Sequence, residues 1–344
     1  MKTKFKLLAL TASLLACGIG VSGQAQANAY AIAAENIRNG FIFAGVDTDA
    51  NGTPDTLNLA AIKFGAVSSL SSSAATLNGL GNANSAPGPL PDAKASNGLG
   101  SNPMRPNELT TTTGAGNTYY TPYGQLGSAY SWGDAKVVTE QTISGTPIEA
   151  RNAAESNIPS PTSGFADGDG RNVSSTTLSL PINAGSDCAT LKCAVSFYLQ
   201  ADPFILASLD ALAKAGSVAR GLLSLTITLT KVGDVLPSFS WAPNGKVGDG
   251  IAGGTETLDD ENLNLTREVL TGGDPDAVHS GPYMGDVFGQ YFAYTAYLLP
   301  ANYTLSLSMI EKTDVTRVPE PATLALLGLG LVGMGLTARR RKQA

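Results

Sequence analysis

Asp47, Asp49, Asn51 and Asp55 put oxygen-bearing side chains at positions 1, 3, 5 and 9 of one short stretch, with Gly52 at position 6. Calcium takes roughly six to eight oxygens, and this spacing curls alternate side chains inward while glycine permits the sharp turn. Calcium is the one cofactor these residues offer. Position 12 carries Asn58, where a bidentate carboxylate would close the shell. Asp-Ala-Asn-Gly is also good hairpin-turn chemistry, so both readings stand open. Asp167-Gly168-Asp169-Gly170 and Asp274-Pro275-Asp276 are shorter acidic stretches and read as loops.

Acid–base chemistry has fewer candidates. Asp259, Asp260 and Glu261 have the residue type of a glycosidase carboxylate pair, but adjacent acids in a turn are usually just solvated. The single histidine, His279, lies in a Gly/Pro-rich stretch read as exposed loop, and no G-x-S-x-G occurs. No catalytic residue is assigned. Trp132, Trp241, Tyr119, Tyr120 and Tyr123 have the faces to stack on sugar rings, or equally to fill a core.

The elements that would position these residues alternate with a period of two. Leu223, Leu225, Ile227 and Leu229 interleave with Ser and Thr, as do Leu178, Leu180 and Ile182, then Val195, Phe197 and Leu199, then Leu305, Leu307 and Met309. Each set reads as a half-buried strand. Phe41 to Val46 reads as another, and Tyr291 to Glu311 as an antiparallel hairpin about Pro300. One stretch breaks the pattern. Asp202-Pro203, apolar residues at Ile205, Leu206, Leu209 and Leu212, and Gly216 beyond them predict a short helix. Ser68 to Gly133 is rich in Ser, Ala, Gly and Pro and reads as long surface loops, with a short strand at Thr118 to Tyr123. The expected fold is mainly β, an antiparallel β-sandwich with one short helix and long loops.

Both ends of the chain carry targeting signals. Lys2, Lys4 and Lys6, an apolar core from Leu7 to Ala16 and Ala25-Gln26-Ala27 read as a secretory signal peptide over residues 1–27. The partners this implies are the Sec translocon and signal peptidase. A lipobox reading at Leu14 to Cys17 competes with it, but Leu15 is unusual in that slot. Residues 28–316 form the β-rich extracytoplasmic domain. In the oxidising compartment that export implies, Cys188 and Cys193 are expected to close a short disulfide loop.

Residues 317–344 hold Pro319-Glu320-Pro321, an uncharged apolar run from Ala322 to Ala338, then Arg339, Arg340, Arg341 and Lys342. As a helix the run spans roughly 25 Å, the short end of a membrane crossing. The basic cluster resists translocation and stays cytoplasmic, which leaves everything upstream outside. This tail resembles the tag of PEP-CTERM proteins. The resemblance implies recognition and cleavage by an integral-membrane exosortase in bacteria that make extracellular polysaccharide. It covers only the tail and implies nothing about the domain before it. The Asp47 stretch, in turn, resembles the D-x-D-x-N-G loops of EF-hand, dockerin and thrombospondin type-3 modules, without their Glu at position 12.

Charged residues make up 15% of the chain and the net charge is −6, with no basic run before the tail. Nucleic acid is therefore excluded as a partner. The sequence points to an exported surface or matrix protein, non-catalytic and associated with the exopolysaccharide layer. A transient inner-membrane anchor would precede its release to the surface. Two alternatives remain: a polysaccharide-acting enzyme using a carboxylate pair, and a calcium-dependent adhesin or carbohydrate-binding module.

Overall fold

Period-two alternation becomes strand throughout the domain. The structure, a computed structural model, describes residues 28–47, 56–57, 65–88, 90–98, 128–139, 147–159, 167–182, 192–210, 213, 215–270, 276–279 and 288–318. The strands in these residues are β1 (Ala29–Asp47), β2 (Thr56–Leu57), β3 (Val67–Leu77), β4 (Leu80–Pro87), β5 (Asp92–Asn97), β6 (Tyr130–Thr139), β7 (Ile148–Ile158) and β8 (Asp167–Pro181). They continue as β9 (Lys192–Leu209), β10 (Val218–Lys231), β11 (Phe239–Trp241), β12 (Ile251–Ala252), β13 (Gly254–Asp259), β14 (Thr266–Leu270), β15 (Asp276–His279), β16 (Gly289–Thr295) and β17 (Asn302–Thr316). Two antiparallel sheets result. One runs β13-β16-β9-β1-β7-β6-β5, with β15 added to β9 and β2 to β1; the other runs β12-β11-β10-β17-β8-β3-β4, with β14 added to β10.

The sheets face each other as a sandwich with an unusual core. Leu178, Leu180, Val195, Phe197, Leu225, Ile227, Phe239, Trp241 and Leu305 pack into a large apolar cluster. A smaller cluster of Ala29, Leu77, Ile158, Leu209, Ala219 and Val315 fills the other end. Between them the inward positions turn polar and small. Ser71, Ser73, Asn152, Ser156, Asn172, Ser174, Glu311 and Thr313 are all buried there. Their hydrogen bonds join the sheets: Ser174 donates to Asn152 Oδ1 at 2.6 Å, Ser156 and Thr313 share a hydroxyl bond at 2.9 Å, and Ser73 donates to the Ala93 carbonyl at 2.6 Å. Small side chains let the backbones approach. A Cβ on Gly170 of β8 would stand 2.5 Å from the Trp132 carbonyl of β6, in the opposite sheet.

This belt corrects the loop reading of Ser68 to Gly133. Within the described part, Val67–Leu77, Leu80–Pro87 and Asp92–Asn97 are strands, and β6 begins at Tyr130. Ser69, Ser71, Ser73, Ala75 and Leu77 point inward in strict alternation. The alternation was invisible to hydropathy because the buried residues are mostly serines, each with a hydrogen-bond partner inside. The strand expected at Thr118 to Tyr123 lies outside the described residues.

The predicted helix from Asp202 to Gly216 is also overturned; its first half is the end of β9. Pairing runs from Ala29↔Leu209 to Asp47↔Lys192 along β1, so leaving the strand would strip backbone bonds from both partners. Ala201, Pro203, Ile205, Ala207 and Leu209 face the core, while Phe204 packs on the outer face against Ala34, Tyr130, Trp132 and Ala153. A strand buried on both faces has the apolar spacing of a helix. Pro203 falls in the gap between the β16 ladder, which ends at Ala201, and the β15 ladder, which begins at Phe204.

Asp167 to Gly170 opens β8 rather than a loop, and Asp276 and His279 bound β15. Tyr291 to Glu311 contains two strands, but they are not a hairpin. β16 pairs with β9 and β13, whereas β17 pairs with β10 and β8 in the other sheet. The turn about Pro300 therefore crosses between sheets. Alternation tells which side chains are inside but not which strand is the neighbour.

Strand directions give the sandwich two poles. Ala29, Ile158, Asp167, Leu209, Val218 and Thr316 meet at one, through the pairs Ala29↔Ile158, Ala29↔Leu209, Val218↔Thr316 and Thr316↔Asp167. Both ends of the domain lie there. Asp47, Lys192, Lys231 and Tyr303 mark the far pole, through Asp47↔Lys192 and Lys231↔Tyr303.

Candidate functional site

β1 and β2 pair antiparallel at the far pole through Gly45↔Leu57 and Val46↔Thr56. Asp47 is the last residue of β1; Asp49, Asn51 and Asp55 lie outside the described residues. No group of three or more His, Cys, Asp or Glu among the described residues is placed to hold a metal.

Two of the three acidic residues, Asp260 and Glu261, line a cavity. About 310 Å³ opens at the sandwich edge between Pro203, Ile205, Leu223 and Leu265 on one side and Asn244, Gly245, Asp260, Glu261 and Asn262 on the other. The gap in the β9 ladder at Pro203 gives the opening its place. Asp259 itself is spent on structure. Its Oδ2 accepts the backbone N–H groups of Asn244, Gly245 and Lys246 at 2.9, 2.9 and 3.0 Å. Successive N–H groups make an anion-binding concavity, here filled by the chain's own carboxylate. Gly245 sits at φ 81°, where a Cβ would also crowd Asn262 N at 3.0 Å. Asp260 Oδ2 accepts the Gln290 N–H at 2.7 Å, which pins the cleft wall to β16. The cleft offers acceptors over an apolar floor, a match for a small ligand bearing hydroxyl or ammonium donors.

The two tryptophans are core anchors, not exposed platforms. Trp132 is 2% exposed and donates Nε1–H to Glu155 Oε2 at 2.8 Å. Tyr30 and Tyr130 both donate to Glu155 Oε1 at 2.7 Å, so three aromatic donors converge on one buried carboxylate. Trp241 is 0% exposed and donates to Glu256 Oε1, while Gly248 N–H donates to Glu256 Oε2 at 2.7 Å. Burial pushes the Glu256 carboxyl up; the Trp241 and Gly248 donors oppose that, and nearby Asp259 adds to it. Tyr119, Tyr120 and Tyr123 lie outside the described residues.

Sequence reasoning passed over Glu35, Glu155, Glu256 and Glu311. The signal for Glu35 and Glu311 was present: Glu35 occupies an inward position between Ala33 and Ile37, and Glu311 one between Met309 and Thr313. Cys193 is buried and disulfide-bonded, while Cys188 lies outside the described residues.

At the near pole the domain hands over to the tail at once. Arg317 Nη1 donates to the Pro159 carbonyl at 3.5 Å, and Val318 N–H to Ser217 Oγ at 3.1 Å. Pro319, Glu320, Pro321, Arg339, Arg340 and Arg341 follow outside the described residues, as do the residues before Asn28, where a signal peptide is expected. No helix among the described residues is long and apolar enough to cross a membrane.

Comparison with known proteins bears on the tail. Residues 317–342 match the PEP-CTERM protein-sorting motif. No curated protein matches the chain. Among solved structures, one of the infectious bursal disease virus Gx strain shares 14% identity, covers 89% of this chain and 87% of its own, and has a TM-score of 0.09. Another, of T=1 particles derived from infectious bursal virus, has 14% identity, 89% and 84% coverage and a TM-score of 0.09. Neither likeness carries an argument about this fold.

Proposed function

We propose that this chain is an exported, non-catalytic surface or matrix protein, sorted by an exosortase and retained in the exopolysaccharide layer. The observation that carries it is the junction at Val318. The matched motif begins at Arg317, and its first two residues, Arg317 and Val318, are still hydrogen-bonded to the domain. A membrane enzyme acting at Pro319 would therefore work against the near pole, where Ala29 and Val315 pack together. The far pole would face outward, with Val235 at 95% and Leu236 at 77% exposed on its β10–β11 connection.

Fractionation of cells with and without the exosortase tests this reading. The expected result is protein in the matrix fraction of the first and held at the inner membrane in the second. An identical distribution in both would overturn it. A second reading, an enzyme acting on polysaccharide, is favoured by one observation, the meeting of Asp260 and Glu261 in the edge cleft. Polysaccharide cleavage by the purified domain that disappears in Asp260→Asn and Glu261→Gln would establish that reading instead.

A further inference from the structure

Glu35 on β1 and Glu311 on β17 lie on the facing inner surfaces of opposite sheets, 2% and 0% exposed. All four carboxyl oxygens are buried without a well-formed hydrogen bond, and only the Asn152 amide and the Glu311 backbone N–H lie near enough to favour a charged Glu311. Asn152 is the amide beside them, and it is already engaged with Ser174 at 2.6 Å and with the Met309 carbonyl at 3.4 Å. Among the described residues, the cation at an inward register position is Arg267 of β14, opposite Gly221 of β10, and no cation counters the rise of either carboxyl. The inward positions are Asn152 and Ala154 on β7, Pro203 and Ile205 on β9, Gly221 and Leu223 on β10, and Asn172 and Ser174 on β8. Arg151, Arg171, Arg220 and Lys312 belong to the alternate, outward set of their strands. The Tyr291 phenol of β16 also turns inward nearby, itself buried and pushed up by burial and by surrounding carboxylates, Glu35 among them.

Two ionised carboxylates cannot be held in such a place without a compensating charge or donors. We propose that Glu35 and Glu311 form a carboxyl pair that the folded sandwich keeps protonated at neutral pH, making the contact between the sheets sensitive to alkali. The pair differs from Glu155 and Glu256, which are met squarely by indole, phenol or backbone N–H groups. Burial pushes Glu35 up to about 8 from an ordinary 4.5. It pushes Glu311 well above 4.5 as well, with the neighbouring Glu35 adding to the rise and the Asn152 amide and the Glu311 backbone N–H opposing it.

The direction follows from proton counting. Above pH 4.5 an unfolded chain has released protons that the folded one still holds, so stability falls as pH rises. For Glu35 the loss is spread between 4.5 and about 8, and for Glu311 it begins at the same point. Each retained proton lowers the folding constant by up to about tenfold per pH unit in that window. Below pH 4.5 both states hold these protons and the pH-dependent loss disappears.

The test is denaturant unfolding of the 28–318 domain at successive pH values from 5 to 9, in the wild type, Glu35→Gln, Glu311→Gln and the double variant. The wild-type folding constant should fall steeply with pH, each single variant should lose about one decade per pH unit of that slope, and the double variant should keep only the shallower fall below about pH 7 that buried Asp134 contributes. Equal slopes in wild type and double variant would overturn the proposal. Should the variants not fold, infrared spectroscopy of the wild type decides. A protonated-carboxyl carbonyl band at pH 7 that vanishes on unfolding is expected, and its absence contradicts the pair. Calcium or magnesium raising the pH 8 folding constant in an Asp49→Ala background, but not when Glu35 is also Gln, would show a cation-neutralised pair and likewise overturn the proton assignment.

Discussion

Trp241 and Glu256 belong to different sheets, on β11 and β13, and the indole N–H of the first donates to the carboxyl of the second. The same carboxyl takes the Gly248 N–H, so one side chain ties both sheets and a loop together at the sandwich edge. Glu256→Ala leaves two buried donors without an acceptor and should cost about 3 kcal/mol, measured by denaturant unfolding. Glu256→Gln keeps an acceptor and should cost about 1 kcal/mol, the smaller loss being expected because burial already disfavours the charged carboxylate.

Asp259 and Asp260 are neighbours with opposite expectations. Asp259→Ala removes the acceptor from three backbone N–H groups and should destabilise by about 3 kcal/mol or more. It should also open Pro243 to Gly250 to limited proteolysis. Asp260→Ala loses one exposed hydrogen bond and should stay within about 1 kcal/mol of wild type. Equal losses in the two variants would mean the Asn244 to Lys246 turn holds without its carboxylate.

Gly170 tests the close approach of the sheets. A methyl there would meet the Trp132 carbonyl at 2.5 Å and Thr313 Oγ1 at 2.9 Å, both fixed by their own strands. Gly170→Ala should therefore destabilise by about 2 kcal/mol, whereas Ser175→Ala, on the outward face of β8, should change stability by less than about 0.5 kcal/mol.

These sites also mark where the sequence was readable. Leu223 to Leu229 and Leu305 to Met309 alternate cleanly because one face is apolar and the other solvated, and they are strands as expected. Ser69 to Ser73 alternates just as strictly in space, but serine on both faces leaves no contrast to read. Ile205 and Leu206 misled for the opposite reason, since both faces of β9 are covered. Asp259 was legible by type as a carboxylate in a turn. Its bond to the Asn244 to Lys246 backbone depends on a turn conformation that no side-chain pattern records. Glu35 and Glu311 meet through the pairing of two sheets, which local sequence does not contain.

Calcium at the Asp47 to Asp55 loop remains a proposal with a sharp outcome. Three carboxylates without a bidentate partner should bind at roughly 10⁻⁴ to 10⁻³ M. A hundredfold excess over the dissociation constant adds about 2.7 kcal/mol to a native state that alone binds the ion. Calcium at tens of millimolar should raise the melting temperature more than magnesium does, and Asp49→Ala should abolish the difference. A melting curve indifferent to calcium would leave the stretch as a polar connection between β1 and β2.

Sorting at the near pole is the claim on which the rest of the account hangs, and the mature C-terminus reports it most directly. Intact-mass and peptide mass spectrometry of the protein from cells with and without the exosortase gives that end. The account predicts a chain ending near Pro319 to Pro321 in the first and carried through Ala344 in the second, with the remaining domain still folded to Val318. The same C-terminus at Ala344 in both cells would contradict it.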